Sequence, residues 1–138
     1  MKGYIQMNNY IPGIYINCAL FPFIKWIIQG KKIYETRNRN TLKRFIGKTV
    51  YLVQTGKGKA IVIAIATIDS VLIVESKAAY NKLRKYTMVK RGSIYDFTDH
   101  TKRKYLYKLT NVQKLKNPFP VPVGSVKHGY TSIDIPVK

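Results

Sequence analysis

Residues 30–37 hold a glycine, a lysine, a glutamate and an arginine at fixed spacing, in the stretch Gly30-Lys31-Lys32-Ile33-Tyr34-Glu35-Thr36-Arg37. Gly30 follows an apolar segment and can adopt the positive φ that ends a helix. The residues after it predict an extended segment, in which alternation places Glu35 and Arg37 on one face. We therefore expect the charged side chains of Lys32, Glu35 and Arg37 to converge.

The chain before this stretch predicts one short strand and one short helix. Residues 1–13 contain Asn, Pro and Gly and are expected to form an irregular lead-in. Tyr15–Ala19 favours a strand. Phe21–Gln29 favours a mostly buried helix, with Pro22 in its first turn and Gly30 at its end.

The chain after this stretch predicts two strands joined by a turn. A helical turn at Thr41–Phe45 precedes a strand at Thr49–Gln54, and Gly56-Lys57-Gly58 predicts the turn. Lys59–Ile68 then alternates isoleucines on one face with alanines and a valine on the other. Both faces of this strand are expected to be buried.

The C-terminal half adds a helix and further strands. Ser76 is expected to cap a helix, Arg103–Lys114 predicts a strand that the prolines from Pro118 onward would end, and Thr131–Ile135 predicts a last short strand. The whole order of elements predicts an α+β fold that is mainly β. The architecture we expect is a small β-barrel with short peripheral helices.

The charge of the chain is strongly unbalanced. Its 138 residues contain 25 Lys and Arg against 6 Asp and Glu, a formal net charge of +19. The acids are too few to pair most of the cations, so much of the positive surface must face solvent, counterions or a ligand. The composition therefore indicates a polyanionic partner.

Length, cysteine content and hydropathy further restrict the class of protein. The length suits one globular domain over residues 1–138. Cys18 is the only cysteine, which excludes an intrachain disulfide or a thiolate zinc cluster, and we expect no metal and no cofactor. The longest apolar run, Ala60–Ile68, is much shorter than the roughly 20 residues that span a bilayer. We expect a soluble, cytoplasmic protein without a membrane partner.

Basic residues interleave with aromatic ones in several runs. Such mixing suits phosphate contact combined with base stacking, although a single charge run is usually a solvated face. Six phosphate contacts would give a log–log salt slope of about −4 on single strands. The candidates for contact with a nucleic-acid backbone are Arg39, Lys43, Arg44, Lys57, Lys59, Arg84, Lys85, Arg91 and Arg103.

Residues 30–37 also carry a family resemblance. They fit the pattern Gly-x-Lys-x-x-Glu-x-Arg, and in this the chain resembles the ASCH domain of the PUA-like superfamily. The resemblance covers roughly residues 15–122 and includes the segments Gly47–Val53 and Tyr105–Val112. It implies a PUA-like barrel whose cleft binds RNA or a nucleotide-like ligand. The ligand-binding residues would be Gly30, Lys32, Glu35 and Arg37.

The charged residues of this pattern suit such a ligand. Glu35 could accept hydrogen bonds from a base edge or a sugar hydroxyl, Arg37 could bind a phosphate or carboxylate with its planar guanidinium, and Lys32 could contact a phosphate. The alternative is an ion pair between Glu35 and Arg37 or Lys32 that only neutralises the barrel wall. A basic adaptor that binds an acidic protein is a further alternative.

An enzymatic interpretation uses the same residues. Some ASCH proteins are similar to amidohydrolases that act on N(4)-acetylcytidine and others to ribonucleases, and in either case Lys32 and Glu35 would be the catalytic candidates. Lys32 matches the lysine of the amidohydrolases, but Glu35 stands where they have a hydroxyl residue. Their distant acid could be any of three residues: Glu75, Asp96 or Asp99.

Overall fold

The fold is built from seven strands and a few short helices. The computed structural model describes residues 9–137. The strands are β1 (Tyr10–Asn17), β2 (Tyr34–Arg37), β3 (Thr49–Thr55), β4 (Ile61–Val74), β5 (Lys104–Pro120), β6 (Val126–His128) and β7 (Ser132–Pro136). The helices are α1 (Phe23–Ile28), α2 (Lys77–Lys82) and α3 (Arg84–Thr87), with a 3₁₀ turn at Lys43–Phe45.

All seven strands belong to one mixed sheet. Their order is β2-β5-β4-β3-β1-β7-β6. Neighbouring strands are antiparallel except β1 and β3, which are parallel. The prediction of a mainly β fold with short helices is thus confirmed. A closed barrel is not confirmed, because β2 and β6 lie at the two ends of the strand order and do not pair within residues 9–137.

The main core lies between the sheet and α1. Phe23, Ile24 and Ile27 of α1 are buried in one cluster with Ala64 and Ala66 of β4. The small side chains of β4 allow the helix to pack close to the sheet. The opposite face of β4 carries isoleucines that are only half-buried. The expectation that both faces of this strand are buried was therefore wrong.

Two of the predicted local signals are present. Gly30 has φ +76° and follows the end of α1, as the helix prediction requires. The Ser76 hydroxyl accepts a hydrogen bond of 3.1 Å from the backbone N–H of Ala79 at the start of α2. The end of α1 and the start of α2 therefore follow from residue chemistry that is visible in the sequence.

The first strand begins earlier than predicted. β1 starts at Tyr10, so residues 10–13 are not an irregular lead-in, while residues 1–8 of that lead-in lie outside the described residues. Pro12 is tolerated because, among the described strands, β1 pairs there with β7 alone, opposite Asp134, and pairing with β3 starts only at Gly13. The strand could not be predicted from alternation because a proline and a glycine interrupt it.

The end of the sheet also differs from the prediction. β5 continues to Pro120, which pairs with Ile61 of β4, so the prolines do not end the pairing. Within residues 9–137 this part of β5 pairs with β4 alone, and the prolines, which lack an N–H group, can face away from it. The three-residue β6 was not predicted.

No helix in the described part of the chain is long and apolar enough to cross a bilayer.

Candidate functional site

A cleft of about 450 Å³ lies between β1 and β2. Its walls combine carboxylate, amide, aromatic and cationic groups. The lining residues are Tyr15, Asn17, Glu35, Thr36, Arg37, Asn38, Thr55, Ala60, Ile94, Tyr95, Lys104, Lys127 and Tyr130.

Arg37 connects the two strands that border the cleft. Its Nη2 donates a 2.6 Å hydrogen bond to the backbone carbonyl of Tyr15 on β1. Its Nε donates at 3.1 Å to Oε2 of Glu35, two residues earlier on β2. Glu35 and Arg37 share one face of β2, as alternation predicts, and both line the cleft. Arg37 therefore holds the cleft walls together and also faces the space between them.

Lys32 is buried and does not line the cleft. Only 2% of its surface is exposed, and its Nζ donates a 2.6 Å hydrogen bond to the backbone carbonyl of Thr87. The same Nζ lies 4.0 Å from Oε1 of Glu35 and 4.5 Å from the centroid of the Phe23 ring. Lys32 thus contacts the side of Glu35 opposite to Arg37.

Burial changes the acidity of Lys32. Loss of solvent lowers the pKa of its ammonium from 10.5 to about 8, although the nearby Glu35 carboxylate favours the charged form. The side chain is therefore mostly protonated at pH 7. The Glu35 carboxylate lies between two cations, so the ion pairs considered in the sequence are both present.

Gly30 acts on the site through the backbone. It reverses the chain after α1, and the backbone N–H of Lys32 then donates a 3.1 Å hydrogen bond to the carbonyl of Trp26. Gly30 itself does not line the cleft. Of the four predicted ligand-binding residues, the structure brings Glu35 and Arg37 to the cleft and places Lys32 behind it.

Tyrosines form an aromatic part of the cleft wall. Tyr95 packs edge-on against Phe23, with ring centroids 5.2 Å apart, and against Phe21 at 6.2 Å. Burial raises the pKa of the hydroxyls of Tyr95 and Tyr15 above the usual 10, so both remain hydrogen-bond donors at neutral pH. Tyr130 also lines the cleft and is almost fully exposed.

A second cavity of about 480 Å³ adjoins the first. Three residues line both: Asn38, Ile94 and Lys104. Lys104 is 4% exposed, and its Nζ donates a 2.6 Å hydrogen bond to Oδ1 of Asn38. Within residues 9–137 its ammonium forms no ion pair with a carboxylate, and burial lowers its pKa. The remaining residues of the second cavity are Asp96, Thr98, His100, Thr101, Lys102 and Arg103.

The predicted backbone-contact residues are dispersed. Among them only Arg103 lines either cavity, and it also lies 3.7 Å from the Glu75 carboxylate. Arg84 is half-buried and bonds to Asp96 at 2.8 Å, so its role is internal. Arg44 donates to Ser132 at 3.1 Å. The other members of the set are exposed: Arg39, Lys43, Lys57, Lys59, Lys85 and Arg91.

The acids considered for catalysis lie away from Lys32. Glu75 pairs with Arg103, Asp96 with Arg84, and Asp99 with Lys77. The one carboxylate that forms an ion pair with Lys32 in the described residues is that of Glu35. In the same part of the chain, His, Cys, Asp and Glu side chains form no group of three that could hold a metal ion.

Sequence reasoning missed several cleft residues. Asn17, Asn38, Lys127 and Tyr130 lie in segments with no pattern that predicts their proximity. Lys104 did carry a signal, because alternation along β5 places it on the same face as the buried Leu106. A lysine at an inward position of an apolar strand indicates either a buried ion pair or a ligand.

Comparison with known structures assigns this architecture to the ASCH-like fold. The ASCH protein of Zymomonas mobilis superposes with a TM-score of 0.62 at 21% identity, over 78% of this chain and 72% of that one. A serine-to-alanine variant of that protein gives 0.62 at 19% identity over 80% and 74% of the two chains, and a tyrosine-to-phenylalanine variant gives 0.61 at 20% over 80% and 76%. The predicted ASCH resemblance is confirmed at the level of fold. No protein-family model and no curated protein sequence matches the chain.

Proposed function

We propose that the cleft between β1 and β2 binds RNA or a modified nucleotide. The observation that carries the proposal is the combination, in one cleft, of amide and carboxylate groups with tyrosine rings and cations. Hydrogen-bonding groups recognise base edges, aromatic faces stack with bases, and cations bind phosphates. The net charge of +19 would attract such a polyanion from a distance.

Different residues of the cleft would bind different parts of the nucleotide. Glu35 and Asn17 offer acceptors for the amino groups of a base or for a ribose hydroxyl. Tyr130 offers an exposed ring for stacking, and Lys127 offers a solvated cation for a phosphate. Because the Glu35 carboxylate is already held by Lys32 and Arg37, its position is set before any ligand arrives.

Binding experiments with a matched pair of lysine variants test this function. The ligands are the four nucleoside 5′-monophosphates and a short mixed-sequence RNA, titrated by calorimetry at about 0.15 M salt, where diffuse attraction is screened beyond about 8 Å. Lys127→Ala removes a cation that lines the cleft, and Lys48→Ala removes one exposed cation that does not. We expect Lys127→Ala to weaken binding several-fold and Lys48→Ala to match the unmodified chain.

Three results would contradict the proposal. Equal weakening by both lysine variants would show diffuse attraction rather than a cleft site. Binding that is lost above low salt and unchanged in Glu35→Gln would indicate an adaptor for acidic proteins. No binding of any of these ligands, and none of N(4)-acetylcytidine, would exclude the function.

The hydrolase alternative depends on Lys32. The pKa of about 8 favours it, since part of the Lys32 population is then the neutral amine that can act as a base or a nucleophile. Against it, the Nζ atom is buried behind Glu35 and bonded to the Thr87 carbonyl. Incubation with N(4)-acetylcytidine and with the same RNA, followed by product analysis, decides between the two. We expect both to remain intact; release of cytidine or RNA fragments that disappears in Lys32→Ala, with the variant still folded by circular dichroism, would establish a hydrolase.

A further inference from the structure

The two cavities of the site form one continuous surface. Asn38, Ile94 and Lys104 line both of them, so the first cleft and the second cavity meet at these residues. The second cavity is about as large as the first. A ligand that fills the first cleft therefore has adjacent space into which a chemically linked group can extend.

The boundary between the cavities contains an incompletely bonded cation. The Lys104 ammonium carries three N–H groups, and within residues 9–137 its hydrogen bond is to Asn38 Oδ1. No carboxylate in that part of the chain lies within 4.0 Å of it, although Lys104 is 4% exposed; the Asp96 carboxylate acts on it only from a greater distance. A buried charge without an ion-pair contact is unfavourable, and an anion at the boundary would relieve this.

The second cavity suits an anionic ligand. Lys102 and Arg103 line it together with Lys104. Its one carboxylate, that of Asp96, accepts hydrogen bonds from Arg84 and from the backbone N–H groups of Gly92 and Phe97, each at 2.8 Å. The Asp96 charge is thus already compensated by the protein, and the cationic groups dominate the cavity.

The boundary also exposes apolar surface. Ile94 is 75% exposed while lining both cavities. A large apolar side chain in that position offers van der Waals contact to the face of a base or a sugar on either side. The boundary therefore combines one buried cation with one exposed apolar side chain.

We propose that the two cavities bind consecutive nucleotides of a single-stranded RNA and that Lys104 binds the phosphate between them. This proposal rests on the proposed function of the first cleft and specifies its ligand as an oligomer rather than a free nucleotide. Base and ribose of one nucleotide occupy the cleft beside Glu35. The next nucleotide occupies the second cavity beside Lys102 and Arg103.

A comparison of two ligand lengths tests this proposal without adding charge. A nucleoside 5′-monophosphate and the corresponding dinucleoside monophosphate each contain one phosphate, and the dinucleotide carries the smaller negative charge. Electrostatics alone would therefore favour the mononucleotide. We expect the dinucleoside monophosphate to bind at least tenfold more tightly in calorimetric titration, because only it fills both cavities.

Variants at the boundary and in the second cavity then show which residues cause the tighter binding of the dinucleotide. Lys104→Met keeps the length of the side chain and removes its charge, and we expect it to weaken dinucleotide binding about tenfold or more, as loss of a charge-assisted hydrogen bond does. Binding of the uncharged nucleoside should not change. Lys102→Ala, at an exposed position of the second cavity, should weaken the dinucleotide alone and so tests the proposal even if Lys104→Met does not fold.

The outcomes separate this proposal from the proposed function. If mononucleotide and dinucleotide bind equally, or if Lys104→Met and Lys102→Ala both bind the dinucleotide as the unmodified chain does, the two-nucleotide site is wrong while nucleotide binding stands. If neither ligand binds and a longer RNA also fails, the proposed function itself is wrong, and the two-nucleotide site with it.

Discussion

The chain buries two lysines near its cleft, and they differ in what surrounds the charge. Lys32 is enclosed by a backbone carbonyl, a glutamate and a phenylalanine ring and does not line the cleft. Lys104 has one amide partner, forms no ion pair in the described residues, and lines two cavities. The lysine that fits the sequence pattern therefore has the features of a structural residue, and the one outside the pattern has the features of a binding residue.

Two positions of similar burial can thus have different roles. Burial alone lowers the pKa of both ammonium groups, and does not distinguish them. The difference lies in whether the protein itself supplies an ion-pair partner: Glu35 lies 4.0 Å from the Lys32 ammonium, whereas Asp96 acts on Lys104 only from a greater distance. A lysine with an internal ion-pair partner is held in place by the protein, whereas one without such a partner is available to an anionic ligand.

Removing the internal counter-charge should have the largest effect. Glu35→Gln would leave Lys32 and Arg37 buried or half-buried without their shared carboxylate, and would give Lys32 the environment that Lys104 has now. We expect a loss of about 3–5 kcal/mol in the free energy of unfolding, measured by urea denaturation. The matched control is Glu75→Gln, which removes an exposed pair with Arg103 and should change stability by at most about 1 kcal/mol. Equal effects of the two variants would contradict this account of Lys32.

The same substitution at both lysines should give a smaller but diagnostic difference. Lys32→Met leaves the buried Thr87 carbonyl without its donor, and we expect a loss of about 1–3 kcal/mol in the free energy of unfolding. Lys104→Met should change it by less than about 1 kcal/mol, since the exposed Asn38 side chain can bond to water and a buried unpaired charge is removed. Urea denaturation of both variants measures the difference. Greater destabilisation by Lys104→Met would reverse the assigned roles.

The pH dependence of stability should give the smallest effect. The pKa of Lys32 falls from 10.5 to about 8 on folding, so the unfolded chain binds more protons than the folded chain between these pH values. The contribution of Lys32 to the free energy of unfolding therefore rises with pH in this range. Cys18 acts in the opposite direction above about pH 9, since burial raises its pKa in the folded chain. The difference between the unmodified chain and Lys32→Met isolates the lysine. We expect the unmodified chain to gain stability relative to the variant from pH 8 to 10; a constant difference would show that Lys32 is not desolvated.

Much of the fold could be predicted from local chemistry. Gly30 ends α1, Ser76 caps α2, and the alternation in residues 59–68 gives the start of β4. Each of these signals involves residues close together in the chain, so the sequence alone predicts the structure that it produces. The closed barrel rests instead on pairing between strands far apart in sequence, and the described sheet does not show it.

The site was predictable only in part for the same reason. Glu35 and Arg37 follow from alternation within one strand, and both line the cleft. That Lys32 lies behind them depends on α3, whose Thr87 carbonyl is 55 residues away in the chain and bonds to the lysine. Lys104 reaches the cleft because β5 pairs with β2, a long-range contact that no local pattern indicates.

The parallel pairing of β1 with β3 sets when the cleft can form during folding. Parallel neighbours need a crossover, and here residues 18–48 make it, with α1 and β2 inside it. Closing this loop is slower than forming the β3–β4 hairpin, whose strands are joined by a turn at Gly56. The hairpin is thus expected to form first, and β1 then pairs with its strand β3. The cleft is therefore expected to be completed after this hairpin, because Tyr15 and Asn17 of β1 form part of its wall.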